Sequence, residues 1–140
     1  MNKQNTLLSF LVSILMVGSY QTTSAQQQNM MVRLSEIEID PVHLDEYKAI
    51  LKEESAASVK LEPGVIAIFP MYQKENPTSV RILEMYADRA AYEQHLKTAH
   101  FQKYKTTTLN MVKALKLVDM ESIDASTMPL LFRKVKEDRR

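Results

Sequence analysis

The stretch VRILEMYA, Val80 to Ala87, limits what this chain can fold into more than any other. Its apolar residues fall on both parities: Val80, Ile82 and Tyr86 point one way, Leu83 and Met85 the other. Successive side chains of a strand alternate between faces, so this strand is apolar on both. Helices of the same chain cover one face of a sheet, and the other needs a separate cover. A second copy of the same sheet supplies it. We therefore expect a homodimer in which two sheets pack face to face.

The flanking segments say what kind of sheet this is. MVRLSEIEI (Met31 to Ile39) reads as a strand, with Val32 and Leu34 on one parity and Ile37 and Ile39 on the other. That switch predicts a bulge near Ser35–Glu36. Asp40 suits a helix N-cap and Pro41 the first helical position. Leu44, Tyr47 and Leu51 then follow at helical spacing, and Ser55 and Ser58 continue the stripe with small polar groups. Glu62-Pro63-Gly64 stops that helix. Val65 to Gln73 is a second strand, Lys74 to Ser79 a turn, and Val80 to Ala87 the third strand. Asp88 caps a helix to about Lys97, and Thr98 caps a further short one to about Leu109. Met111 to Met120 is the fourth strand. The order β-α-β-β-α-β is the ferredoxin-like arrangement, an α+β fold with one antiparallel sheet and helices on one face.

Residues 1–25 read as an export signal: Lys3, the apolar run Leu7 to Gly18, then small residues before Gln26. The run is too short to serve as a stable membrane anchor. We expect a periplasmic or secreted protein with a linker at 26–30, a domain at 31–121 and a tail at 122–140 holding Pro129-Leu130-Leu131-Phe132 and a charged, frayed end. Without Lys3 the chain has 17 basic and 17 acidic residues, so it carries no basic footprint for nucleic acid. With no cysteine and three histidines, it has neither disulfides nor a structural zinc set.

Four segments in this order, VRLSEIEIDPVHLDEY, EPGVIAI, ILEMYADRAAYEQHLKTAHFQKY and MVKALKLVD, resemble the antibiotic biosynthesis monooxygenase (ABM) family of the dimeric α/β-barrel superfamily. The likeness runs from about Met31 to Met120. It implies a ferredoxin-like subunit, an obligate dimer, and a pocket between helices and sheet. It also implies oxygenation of quinol- or anthrone-like aromatics with no cofactor. Other members isomerise small sugar-derived phosphates, and related groups degrade haem with the help of a tryptophan, a residue this chain lacks.

The chemistry concentrates in residues 84–104. His95 and His100 are the candidate bases, since imidazole titrates near neutrality. Five residues separate them, about 140° around an unbroken helix. On such a helix they do not share a metal, and no nearby carboxylate–histidine pattern completes a ligand set, so no metal is expected. A break at Thr98 turns both toward one cavity. Deprotonation of an electron-rich aromatic, whose anion then reduces dioxygen, needs an apolar cavity, one base and donors for the developing oxyanion. Tyr72, Tyr86 and Tyr104 are candidate donors or walls, and Phe101 a wall or a core residue. Glu84 shares a strand face with Ile82 and Tyr86 and is a further candidate for the substrate site: it orients a histidine, serves as a base with a raised pKa, or pairs with an arginine across the dimer. Two rival readings stand beside the oxygenase: a dimeric ligand-binding module without turnover, and an isomerase of a small carbonyl compound.

Overall fold

A computed structural model describes residues 29–137. The expected export signal lies outside them. Strands β1 (Met31–Ile39), β2 (Val65–Tyr72), β3 (Ser79–Tyr86) and β4 (Val112–Met120) form one antiparallel sheet in the order β2-β3-β1-β4. Helix α1 (Leu44–Leu61) carries the chain from β1 across β3 to the far edge at β2. Helices α2 (Arg89–His95) and α3 (Ala99–Thr108) return it from β3 to β4. This is the ferredoxin-like α+β fold.

Local chemistry sets the element ends. The Asp40 carboxylate accepts a hydrogen bond from the Val42 amide at 3.1 Å and starts a 3-10 turn, Pro41–His43, ahead of α1. Pro63 disfavours helical backbone in the residue before it. Glu62 is accordingly extended, and its amide closes α1 on the Ser58 carbonyl at 3.0 Å. Gly64 then passes so close to α2 that an added Cβ would stand 2.5 Å from Ala91 Cβ. Asp88 caps α2 through the Ala91 amide at 2.8 Å.

The main core lies between the sheet and α1. Ile37 and Ile39 of β1, Val80 and Ile82 of β3, Tyr47 and Leu51 of α1, and Met111 are all buried there. Fully burying such a side chain contributes about 1.5–3 kcal/mol.

The expected bulge near Ser35–Glu36 is absent. β1 pairs with β3 without a break from Met31 to Glu38, and the irregularity falls at Glu38–Ile39, against β4. The change of parity has another cause. β1 is buried toward the helices through Arg33, Ser35, Ile37 and Ile39, while Val32 and Leu34 face the opposite side of the sheet. Two polar residues therefore occupy helix-side positions at the start of the strand. The Arg33 guanidinium reaches Asp119 on β4, with Nη2 donating at 2.6 Å, and stacks 4.5 Å from the centre of the Tyr92 ring.

The tail is more ordered than the sequence suggests. Asp124 caps a 3-10 turn, Ala125–Thr127, and a final helix α4 (Met128–Glu137) follows, with Leu131 and Val135 exposed. Among the described residues, no helix is long and apolar enough to cross a membrane.

Candidate functional site

His95 ends α2, and the chain then turns before α3 begins. Both the amide and the hydroxyl of Thr98 donate to the His95 carbonyl, at 3.0 and 2.8 Å, and the Thr98 hydroxyl accepts from the Phe101 amide at 3.3 Å. Thr98 thus closes one helix and opens the next. The 140° separation belongs to an unbroken helix, and the break removes it. The two imidazoles, with ring centres 6.4 Å apart, reach the same oxygen. His95 Nδ1 lies 3.0 Å from Glu62 Oε1, and His100 Nε2 lies 2.5 Å from it.

Glu62 was not anticipated as a site residue. Its sequence signal is the Glu-Pro-Gly stop itself. The extended backbone that Pro63 imposes takes Glu62 off the helix and sets its carboxylate against the α2–α3 turn. Burial pushes that carboxyl up, but the hydrogen bonds from His95 and His100 outweigh it and leave the group below its usual range. An ionised carboxylate only accepts, so both ring N–H groups donate to it. In the neutral ring this selects the tautomer: the proton on Nδ1 in His95 and on Nε2 in His100.

A second carboxylate stands behind the first. Glu54 of α1 is buried, accepts from Ser58 Oγ at 2.8 Å and has Oε1 3.7 Å from His95 Nε2. Burial raises its carboxyl above the usual range. With a side chain only 3% exposed, His95 is thus enclosed between two carboxylates. His100 is 22% exposed. Among the described residues, its Nδ1 has no hydrogen-bond partner.

Aromatic side chains wall this cluster. The Phe101 ring centre lies 4.7 Å from that of His95, and Tyr86 lies 5.5 Å away on the other side. The Tyr86 hydroxyl donates to Glu84 Oε2 at 2.9 Å, and Ser35 Oγ donates to Glu84 Oε1 at 2.5 Å. Glu84 therefore finds its partners within the sheet of its own subunit, a serine and a tyrosine. Burial, reinforced by the adjoining Glu84 charge, raises the Tyr86 hydroxyl far above the normal tyrosine range. Tyr104 meets the Tyr47 hydroxyl at 2.7 Å and is a further step from His95, with Phe101 between them.

Tyr72 stands apart. It lines a cavity of about 340 Å³ between α1 and β2, together with Leu51, Ser55, Met71 and Val80. Lys48 Nζ sits 3.8 Å from the centre of the Tyr72 ring at its rim. Neither histidine lines this space. The nearest link is along α1, where Ser55 on the cavity wall adjoins Glu54 in the cluster.

Fold and site together define a ferredoxin-like α+β domain with an apolar cavity and a buried carboxylate–imidazole cluster beside it. A family model described as antibiotic biosynthesis monooxygenase matches residues 30–107. The chain belongs to that family. A crystal structure from Bacteroides thetaiotaomicron, provisionally named an antibiotic biosynthesis monooxygenase, is 52% identical to this chain. The match covers 70% of this chain and 93% of that one, with a TM-score of 0.69. A provisionally named monooxygenase from Lactobacillus acidophilus is 28% identical over 66% of this chain and 44% of its own, with a TM-score of 0.65. A protein from Nitrosomonas europaea shares the fold at 20% identity, covering 68% of this chain and 91% of that one, with a TM-score of 0.64. Among curated proteins, none matches.

Proposed function

We propose that this protein is an exported, homodimeric monooxygenase that oxidises a quinol-like or polyketide-like aromatic without a cofactor, with His100 as its base. One observation carries the assignment of the base. The Glu62 carboxylate holds the Nε2–H of His100, which leaves the lone pair on Nδ1. A carboxylate that fixes the tautomer of a histidine while its other nitrogen abstracts a proton is the arrangement general-base catalysis requires. His95, buried and hydrogen-bonded to Glu62, positions Glu62.

The cavity supports a small, largely apolar ligand, although neither histidine lines it. Leu51, Pro70, Met71 and Val80 give it apolar walls, its volume lies in the range of small-molecule sites, and Tyr72, Lys48 and Lys52 add polar groups. A phenol that reaches the partly exposed side of His100 loses its proton to Nδ1. Its electron-rich anion then reduces dioxygen: one oxygen atom becomes a ring carbonyl, the other leaves as water with two hydrogens from the substrate, and the substrate supplies all four electrons and leaves as a quinone.

The test is oxygen uptake by the full chain with a panel of dihydroxynaphthalenes and anthrones. Uptake should be seen with at least one of them and should collapse in His100→Ala, while Tyr72→Phe raises KM. Turnover that survives His100→Ala in a folded protein removes the base assignment but leaves the oxygenase. Conversion under nitrogen favours the isomerase. No turnover, with tight retention of a small ligand, favours the binding module.

A further inference from the structure

We propose that Glu62, His95 and His100 form a binding site for one divalent first-row transition-metal ion of the zinc class, and that its occupancy switches off the base. One ligand atom from each of the three residues lies within 4.8 Å of the others. Ions of this class bind imidazole nitrogen and carboxylate oxygen at about 2.0–2.2 Å. Two ligands of one ion then stand about 3 Å apart. The His95 Nδ1 to Glu62 Oε1 separation of 3.0 Å already meets this, and the His100 Nε2 to Glu62 Oε1 separation of 2.5 Å meets it after a small outward movement of the more exposed ring.

The surroundings supply what such a site needs beyond its ligands. A metal-bound histidine generally donates its other N–H to a carboxylate, which orients the ring and makes it a better ligand. His95 Nε2 faces Glu54 Oε1, and Glu54 is itself held by Ser58 Oγ. With two imidazoles and one carboxylate bound, the ion keeps open positions for water, as a three-ligand site does. The ligands come from the end of α1, the end of α2 and the first turn of α3, so the set exists only in the folded chain.

The consequence for His100 is a change of tautomer. An ion on Nε2 displaces the proton there, and the neutral ring then carries it on Nδ1. That nitrogen becomes a donor and no longer accepts a proton. This half of the inference rests on the base assignment above, whereas the binding half does not.

The experiment is a cobalt(II) titration of the chelator-stripped full chain, followed by visible d–d absorption, with zinc(II) as competitor. One cobalt per chain is expected, displaced by zinc, with a rise in Tm on adding zinc. His100→Ala and Glu62→Gln should each lose the band, and His43→Ala, whose histidine lies outside the cluster, should keep it. Absence of the band in the wild-type chain overturns the site, as does its survival in both cluster variants. If a variant does not fold, zinc protection of His100, the more exposed of the two, from diethylpyrocarbonate in the wild-type chain decides the same point, and an unprotected His100 overturns the site. Oxygen uptake should fall in step with cobalt occupancy. Full uptake by the cobalt-loaded protein overturns the switch while the absorption band upholds the site.

Discussion

His100 Nε2 lies 2.5 Å from Glu62 Oε1, and that contact decides which end of the imidazole is left to accept a proton. Replacing the carboxylate by an amide keeps the size but removes the charge that selects the Nε2–H tautomer. Glu62→Gln is therefore expected to lower kcat about 10²-fold or more, the scale on which a positioned base contributes. KM should change little, because Glu62 holds the ring nitrogen opposite the one that takes the proton. Oxygen-uptake kinetics beside circular dichroism check this. An unchanged kcat in the folded variant contradicts the dyad.

Gly64 and Ala91 test the packing that presents the cluster. A Cβ at position 64 would stand 2.5 Å from Ala91 Cβ, and neither atom belongs to a flexible side chain. Gly64→Ala should cost about 1–3 kcal/mol, the range for overpacking a closed site. In Gly64→Ala/Ala91→Gly the clash is gone, so the double variant should recover much of the loss despite the weaker helix propensity of glycine. Urea midpoints for the four proteins of the cycle measure the coupling. Purely additive effects would show that the two residues do not meet.

The fold was legible because its signals are local. Asp40, Glu62-Pro63-Gly64, Asp88 and Thr98 mark the ends of elements, and apolar periodicity fills the spans between them. The parity switch in β1 was misread because alternation alone does not separate a bulge from a strand with two apolar faces. Here Arg33 and Ser35 take interior positions, each with a polar partner that sequence spacing does not reveal. The two histidines could be singled out from their chemistry, and the break at Thr98 could be anticipated from capping. Glu62 and Glu54 could not, because they lie 33 and 41 residues before His95 and only the packing of α1 against the α2–α3 turn brings them to it. The helix at Met128–Glu137 escaped notice because its charged end reads as a solvated tail.

Tyr47 and Tyr104 set an alkaline limit to stability. Their hydroxyls meet at 2.7 Å inside the subunit. Burial pushes Tyr104 up to about 12 and Tyr47 higher still. The unfolded chain ionises its tyrosines near pH 10. Between these values the folded state holds more protons, so stability is intact below about pH 10 and falls as pH rises toward the folded values. Urea midpoints measured from pH 8 to 11 should be flat and then decline. Tyr104→Phe should shallow the decline, since it removes one of the groups concerned. A midpoint that stays constant to pH 11 is incompatible with this account.

Phe69 and Met120 point away from the helices, on the sheet face that also carries Leu34 and Leu83. Phe69 is 60% exposed and Met120 48%. Val118 extends the same apolar surface, and nothing polar lies between Phe69, Leu83, Leu34 and Val118 as they follow one another across the four strands. An apolar sheet face of this extent needs a cover, and a standard interface buries about 800 Å² on each partner. The same face on a second copy is a cover of like chemistry, and two-fold packing uses one patch on both partners. Light scattering should therefore give twice the mass of one chain. Phe69→Glu places a carboxylate within this apolar face, where desolvation opposes association without touching the helix-side core. The variant should run as a folded monomer, with unchanged far-ultraviolet circular dichroism and a midpoint that no longer depends on protein concentration. A wild-type chain that is monomeric at micromolar concentration would end the two-sheet reading, and a Phe69→Glu protein that stays dimeric would move the interface elsewhere.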